Sequence, residues 1–467
     1  MSWFRLRRLR SLAAALLPLV TLGRAARADP TISRAPATDP PADDPTPALF
    51  HHPESSRWWL SGQVNVIGQA QPGFHSPYDG PNSFRAGDHG AISIVGTVFG
   101  GLELTPTTAI VVTGESAGGG GLSDALGIAG FTNLDVVRNP TLGPTPYVGR
   151  AFLEQDLPLG PRLRADRDPL HVLRTRAARR IELRGGKLST ADWFDVNSAG
   201  TDSHLQFMNW SVDNNAAYDY AADTRGYTLG ASVTYVDPHV SVRFGEMLMP
   251  TVANGIDYDF HVQHARGENL ELEVRESIGG HPGTVRVLGF WNHAAMGRYE
   301  DAIAAVRAGD VRVPDITASR HAGRTKAGAG LGVEQVLAPE LRGFGRAGWN
   351  DGKTETFAYT EVDNTVEIGA DLQGGRWHRE GDRVGLAAVS NGLSKDHREY
   401  LALGGSGFLL GDGRLTYGRE DIIEAYYTMR VHRGIYPAVD AQLVEHPGYN
   451  RDRGPVVVAS LRLQVLL

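Results

Sequence analysis

The last eleven residues alternate between two faces. Val457, Ala459, Leu461, Leu463, Val465 and Leu467 are apolar, while Val458, Ser460, Arg462, Gln464 and Leu466 include a charge and an amide. A period of two belongs to a β-strand, whose successive side chains point to opposite sides. At roughly 3.3 Å per residue and a tilt near 45°, such a strand rises about 25 Å, the height of the apolar band of an outer-membrane barrel. Its position at the end of the chain predicts a lipid-facing strand that closes a barrel.

The same pattern recurs upstream. Leu60, Val64 and Val66 oppose Trp59, Ser61, Gln63 and Asn65. Ile92, Ile94, Val98, Leu102 and Leu104 oppose Ser93, Thr97 and Glu103. Tyr227, Leu229, Ala231, Val233 and Tyr235 oppose Thr228, Ser232 and Thr234, and Leu270, Leu272 and Val274 oppose Glu271, Glu273 and Arg275. Val366 to Leu372, Ile423 to Val431 and Val439 to Leu443 repeat it. With fainter segments near Thr108, Tyr147, Ile181, Val240, Lys326, Gly343 and Val384, the pattern predicts an all-β, antiparallel transmembrane barrel of about sixteen strands. Asp237-Pro238 and Gly279–Gly283 read as short turns. Ala70–Gly90 and Ala295–Thr325 read as long loops, the latter with a helix over Asp301–Ala308. Trp58, Trp59, Trp291 and Trp349 are candidates for interfacial girdles.

The N-terminus has the features of an export signal. Arg5, Arg7, Arg8 and Arg10 precede an apolar run, Ser11 to Gly23, and Ala26-Arg27-Ala28 is a small-residue cleavage site. Three segments are therefore expected: signal peptide 1–28, Pro-rich periplasmic lead-in 29–50 and barrel 51–467. No other run reaches the ~18 apolar residues of a spanning helix. A membrane location then requires a closed sheet, which satisfies its backbone groups internally. There are no cysteines, and the net charge of −7 argues against a nucleic-acid partner.

If the apolar faces meet lipid, the polar faces enclose a lumen, and sixteen strands leave it wide enough for water. An Arg or Lys on the lipid face would cost about 2–4 kcal/mol at the midplane, which keeps charges to one parity. The lumen candidates carry both signs: Arg150, Glu154, Arg184, Arg243, Glu271, Arg275, Glu424 and Arg430. Paired guanidinium and carboxylate groups offer hydrogen bonds to sugar hydroxyls. Trp193, Phe194 and Trp210 could offer flat apolar faces to the rings. The basic cluster Arg174 to Arg180 reads as a solvated loop or a contact to lipopolysaccharide phosphates. No HExxH metal motif occurs, and the glycine run Gly118–Gly121 lacks the Lys-Ser/Thr of a phosphate loop. No catalytic residue, cofactor or metal is expected.

Five stretches resemble the carbohydrate-selective porins, the OprB-type channels. They are Gly62-Gln-Val-Asn-Val-Ile-Gly-Gln69 with Phe74-His-Ser-Pro-Tyr-Asp-Gly80 and Asn82-Ser83; Gly121 to Asp135 leading to Arg138-Asn-Pro140; Gln206-Phe-Met-Asn-Trp210 with Gly226-Tyr-Thr-Leu-Gly230; Trp349-Asn-Asp-Gly352 through Asp382-Arg-Val-Gly385 to Asn391-Gly-Leu-Ser394; and Glu424-Ala-Tyr-Tyr427 with Pro447-Gly-Tyr-Asn450 and Arg453-Gly-Pro455. They cover most of the mature chain in order. The resemblance implies facilitated diffusion of small sugars across a Gram-negative outer membrane. It also implies contacts with outer-membrane lipid and lipopolysaccharide, and allows a homotrimer. It implies an eyelet of arginines and acidic groups, which maps loosely onto Arg150, Glu154 and Arg184. Two features depart from the family: Pro161–Arg180 is irregular, and the final residue is Leu467 where such strands often end in Phe. Two other readings stay open, a barrel enzyme or exporter, and a soluble surface β protein.

Overall fold

In the computed structural model, which describes residues 47–52, 55–87, 90–136 and 142–467, the alternating segments pair into one closed sheet. The first strands are β1 (Trp58–Ala70), β2 (Gly90–Thr105), β3 (Thr108–Gly119) and β4 (Tyr147–Pro158). A separate hairpin follows, β5 (Arg162–Arg164) and β6 (Thr175–Ala177). The wall resumes with β7 (Arg180–Leu188), β8 (Thr228–Val236), β9 (Val240–Leu248), β10 (Arg266–Ile278), β11 (His281–Met296) and β12 (His321–Ala338). It ends with β13 (Leu341–Asn350), β14 (Asn364–Gly374), β15 (Arg379–Gly392), β16 (Glu420–Thr428), β17 (Ile435–Glu445) and β18 (Val456–Leu466). Sixteen strands form the barrel, each antiparallel to its neighbours, and β18 closes it against β1. In that seam Val66 pairs with Leu463 and Val64 with Val465. The signal-peptide segment and Arg138-Asn-Pro140 lie outside the described residues.

Parity decides the facing. On β18 Leu461 is 68% exposed on the outer surface, whereas Arg462 is 3% exposed on the inner one. Ile92 and Ile94 on β2 and Val366 and Ile368 on β14 point out, while Ser93, Thr97, Thr365 and Glu367 are buried inside. Trp58 and Trp349 project outward near opposite ends, where an aromatic girdle sits. Trp59 does not join them. It takes the inward parity and stacks on His52 at 4.4 Å between ring centroids. Tyr227 also departs from the outward facing expected of it: it precedes β8, escapes that strand's parity and is buried.

The two ends of the barrel differ. At the end holding Leu49 and Leu466, whose backbones are hydrogen-bonded, links are as short as 106–107, 237–239, 279–280 and 339–340. Residues 159–179 are the longest link at this turn end among the described residues. The opposite, loop end carries the long connections. These include three helices, α1 (Trp210–Asp213), α2 (Tyr299–Ala308) and α3 (Lys395–Ala402). α2 ends on Gly309 at φ +82°, a left-handed cap that suits glycine. α3 begins at Ser394, whose hydroxyl accepts the His397 N–H.

Candidate channel lining

The loop between β7 and β8, residues 189–227, folds into the barrel, where nearly every residue from Gln206 to Asp223 is buried. A chain segment packed inside must still satisfy its backbone groups. Here the wall's charged side chains do so. Glu271 accepts the Asp195 N–H at 2.7 Å, and Glu424 accepts those of Met208 at 2.6 Å and Asn209 at 3.2 Å. Arg346 donates to the Val212 carbonyl at 2.8 Å and the Thr201 hydroxyl at 2.7 Å. Arg462 donates to the carbonyls of Ser203 and Gln206, each at 2.8 Å. The loop after β3 also turns inward. Its Ala129 and Gly130 N–H groups end on Glu420, and the two loops join through Trp210 N–H to the Phe131 carbonyl at 2.8 Å. Where their tips meet, Asp135 pairs with His204 at 2.9 Å and accepts from Asn65 of β1 at 2.6 Å. Burial alone would lower the His204 pKa, but the Asp135 carboxylate overrides it and holds the imidazole up at about 9.

The opposite inner wall is a lattice of ion pairs. Glu154 on β4 and Arg184 on β7 are register partners, 2.8 Å apart at their charged ends. Arg184 also reaches Glu182 at 2.8 Å, and Arg180 reaches Glu182 at 2.6 Å. The Arg184 guanidinium lies 3.9 Å over the Trp193 ring. Nearer the loop end, Arg150 holds Asp192 in a two-pronged grip at 2.7 and 2.6 Å and lies 5.1 Å over Tyr227. Round the wall, Arg243 meets Glu271 at 2.5 Å, Arg286 bridges Glu273 and Glu334 at 2.9 Å each, and Arg275 pairs with Glu273.

Residues 108–467 match the family model described as "Carbohydrate-selective porin, OprB family". The chain belongs to the carbohydrate-selective porins. No curated protein matches its sequence. Among solved structures it is similar to the high-pH structure of Pseudomonas putida OprB, with a TM-score of 0.67 at 13% identity, covering 88% of this chain and 94% of that one. The low-pH structure of the same protein gives 0.45 at 12% identity, with 88% and 92% covered. The outer membrane channel DcaP of Acinetobacter baumannii gives 0.49 at 11% identity, with 90% and 100% covered. The first of these supports the fold, and the family places the porin in the outer membrane.

The porin brings some of the sequence-derived candidates together and separates others. Glu154, Arg184 and Trp193 form one group. Arg243, Glu271 and Phe194 form a second, with Arg243 5.7 Å over the Phe194 ring. Arg275 sits on the inner face toward the turn end, and Glu424 is taken up by the inward loop. Arg430 does not reach the bore: β16 stops at Thr428, so the alternation read through Val431 runs past the strand into an exposed turn. The aromatic faces are covered as well. Trp193 and Phe194 are 0% exposed and Trp210 is 8% exposed, because they form the core of the folded-in loop. The cluster Arg174 to Arg180 lies at the turn end and not among the long loops, with Arg174 held by Glu103 at 2.8 Å. Sequence reading missed Asp192 and His204, set Tyr227 on the outward face, and took Arg176 with its basic cluster for a solvated loop or a lipopolysaccharide contact.

Two features bear on catalysis. Gly114-Glu-Ser-Ala-Gly118 spells the GxSxG nucleophile-elbow motif, contrary to the expectation from sequence that no such motif occurs. Ser116 lies within β3, its hydroxyl donating to the Pro144 carbonyl at 2.7 Å, and the strand–turn–helix setting of an elbow is missing there. His397 is a buried imidazole whose Nδ1 pairs with the Asp363 carboxylate at 3.1 Å. Its Nε2 is hydrogen-bonded to the Tyr299 hydroxyl at 3.1 Å, and the rings stack at 4.3 Å. The group clasps three loops together.

Proposed function

We propose that the porin carries small carbohydrates, monosaccharides above all, by facilitated diffusion along a water-filled bore. The observation that supports this is an inner wall where fixed charges of both signs stand side by side and partly open, as in Arg150–Asp192, whose side chains are 15% and 11% exposed, and Arg275–Glu273. Such pairs present donors and acceptors to hydroxyls without a net field that would favour one ion. In this reading Arg150, Glu154, Arg184, Arg243, Glu271 and Arg275 shape the lining, and no covalent step or cofactor takes part. Reconstituted porin should swell liposomes faster in a monosaccharide than in an equal concentration of a large oligosaccharide. Absence of swelling with every sugar would overturn the reading.

The same proposal includes export with cleavage after Ala28, a periplasmic lead-in over 29–50, and assembly as a homotrimer. The turn end would face the periplasm and the loop end the lipopolysaccharide. Mass spectrometry of the mature N-terminus and cross-linking of the detergent-extracted protein check these points.

A further inference from the structure

The link between β4 and β7 turns back into the barrel. Beyond the exposed strand β5, Val172 and Leu173 are buried against the inner wall, with Val172 over Gly101 of β2. The His171 ring stands edge-on to Trp193 at 5.3 Å. This strap delivers Arg176 into a cage of three carboxylates: Glu154 at 2.7 Å, Asp156 at 2.9 Å and Glu182 at 2.9 Å. One oxygen from each carboxylate lies within 4.8 Å of the others, a spacing that could hold a metal ion. Arg180 and Arg184 belong to the wall itself, whereas Arg176 comes from outside it. Three carboxylates face three guanidiniums. Without Arg176 one negative charge would be left over, in a cage where Glu154 Oε2 is already buried without a hydrogen-bond partner.

We propose that Arg176 is a tethered counter-ion: it fills a cage that would otherwise take a hard divalent cation, and so sets the charge selectivity of the bore. An all-oxygen carboxylate cage suits Ca²⁺. A charge buried in the wall is screened little by salt, so an unbalanced one would act on every permeating ion. The selectivity part rests on the porin reading, and the cage does not.

The test uses full-length porin with Arg176→Gln, Arg176→Lys and the double variant Asp156→Asn/Arg176→Gln. Calcium binding is measured by isothermal titration in detergent, and the reversal potential in a KCl gradient across a planar bilayer. Arg176→Gln should bind one Ca²⁺ per chain at least tenfold more tightly than the wild type. Its cation-over-anion permeability ratio should rise at least twofold, and millimolar Ca²⁺ should reverse that rise. Arg176→Lys and the double variant should match the wild type in both readouts. If the double variant behaves like Arg176→Gln, the strap's packing is responsible and the proposal fails. It also fails if Arg176→Gln binds Ca²⁺ no better than the wild type. Should Arg176→Gln refold poorly, added Ca²⁺ must rescue it while the double variant needs none; lack of rescue rejects the cage. Calcium binding as expected, with no sugar-driven swelling by the wild type, would reject the porin reading alone.

Discussion

Glu424 points into the barrel from β16, and its carboxylate caps the backbone N–H of Met208 at 2.6 Å. A lumen-facing acid is thereby used as an anchor for chain folded inside the pore. The same substitution of roles recurs at Glu271, Arg346 and Arg462. The bore is narrowed by a loop whose backbone would otherwise be unsatisfied in a crowded interior.

Glu424→Ala should therefore loosen the inward loop without opening the barrel. Two buried N–H groups, on Met208 and Asn209, lose their acceptor, and each costs about 1–3 kcal/mol if left unpaired. Single-channel recordings should show higher conductance and more open-channel noise, while heat-modifiable gel mobility is retained. Glu424→Gln keeps one acceptor oxygen and should fall between. Unchanged conductance in Glu424→Ala would contradict the anchoring role.

The outward facing of β18 gives a paired test. Leu461 is 68% exposed toward lipid, so Leu461→Arg should cost about 2–4 kcal/mol and reduce assembly in the outer membrane. Leu463→Arg, on the same face, should act in the same direction. Arg462→Leu leaves the lipid face untouched and removes the donors to the Ser203 and Gln206 carbonyls. It should assemble and change conductance. Equal yields of the three variants in membrane extracts would contradict the assigned facing.

The fold was legible because a lipid-facing strand admits few exceptions to its period of two, as Val457 to Leu467 illustrates. The interior was less legible for a physical reason. Alternation reports that Glu424 or Arg462 points inward, and it is the same whether the side chain meets water or the backbone of a loop. The 189–227 loop has no period of its own, so its inward fold left no pattern, and its aromatics read as open faces when they are core. Arg430 shows the other failure. Met429 and Val431 continue the alternation of β16 beyond Thr428 and still donate to the Pro437 and Ile435 carbonyls of β17, but β15 offers no ladder partner there, and Arg430 gives its N–H to the Asp382 side chain and stands exposed. The strap carrying Arg176 registered as an irregular stretch with a basic cluster, since nothing local states which carboxylates an arginine will meet.

His397→Ala tests how the external loops are held. The imidazole links α2 through Tyr299, α3 through its own backbone and the start of β14 through Asp363. Removing it leaves buried polar partners unpaired, a loss of about 1–3 kcal/mol confined to the loops. Trypsin should cleave whole cells faster after Arg307 and Arg312, both at the exposed side of their loop. Barrel assembly should not change. Identical cleavage rates with and without the ring would show that the loops are held elsewhere.

The His204–Asp135 contact joins the two inward loops at their tips, and its pH dependence has a definite sign. The His204 pKa stands at about 9 in the folded porin, above the ordinary value of about 6.5, because Asp135 more than offsets the effect of burial. A raised pKa contributes stability that is fully present below the unfolded value and is lost as pH rises through the folded one. The stabilisation is therefore full below about pH 6.5, declines as pH rises from there to about 9, and is gone above it. Open-channel noise and conductance should rise between roughly pH 7 and pH 9 as the imidazolium loses its proton and Asp135 loses its partner. His204→Gln should remove that step, showing at neutral pH the noise the wild type reaches only in alkali. A step of equal size in both proteins would assign the titration to another group.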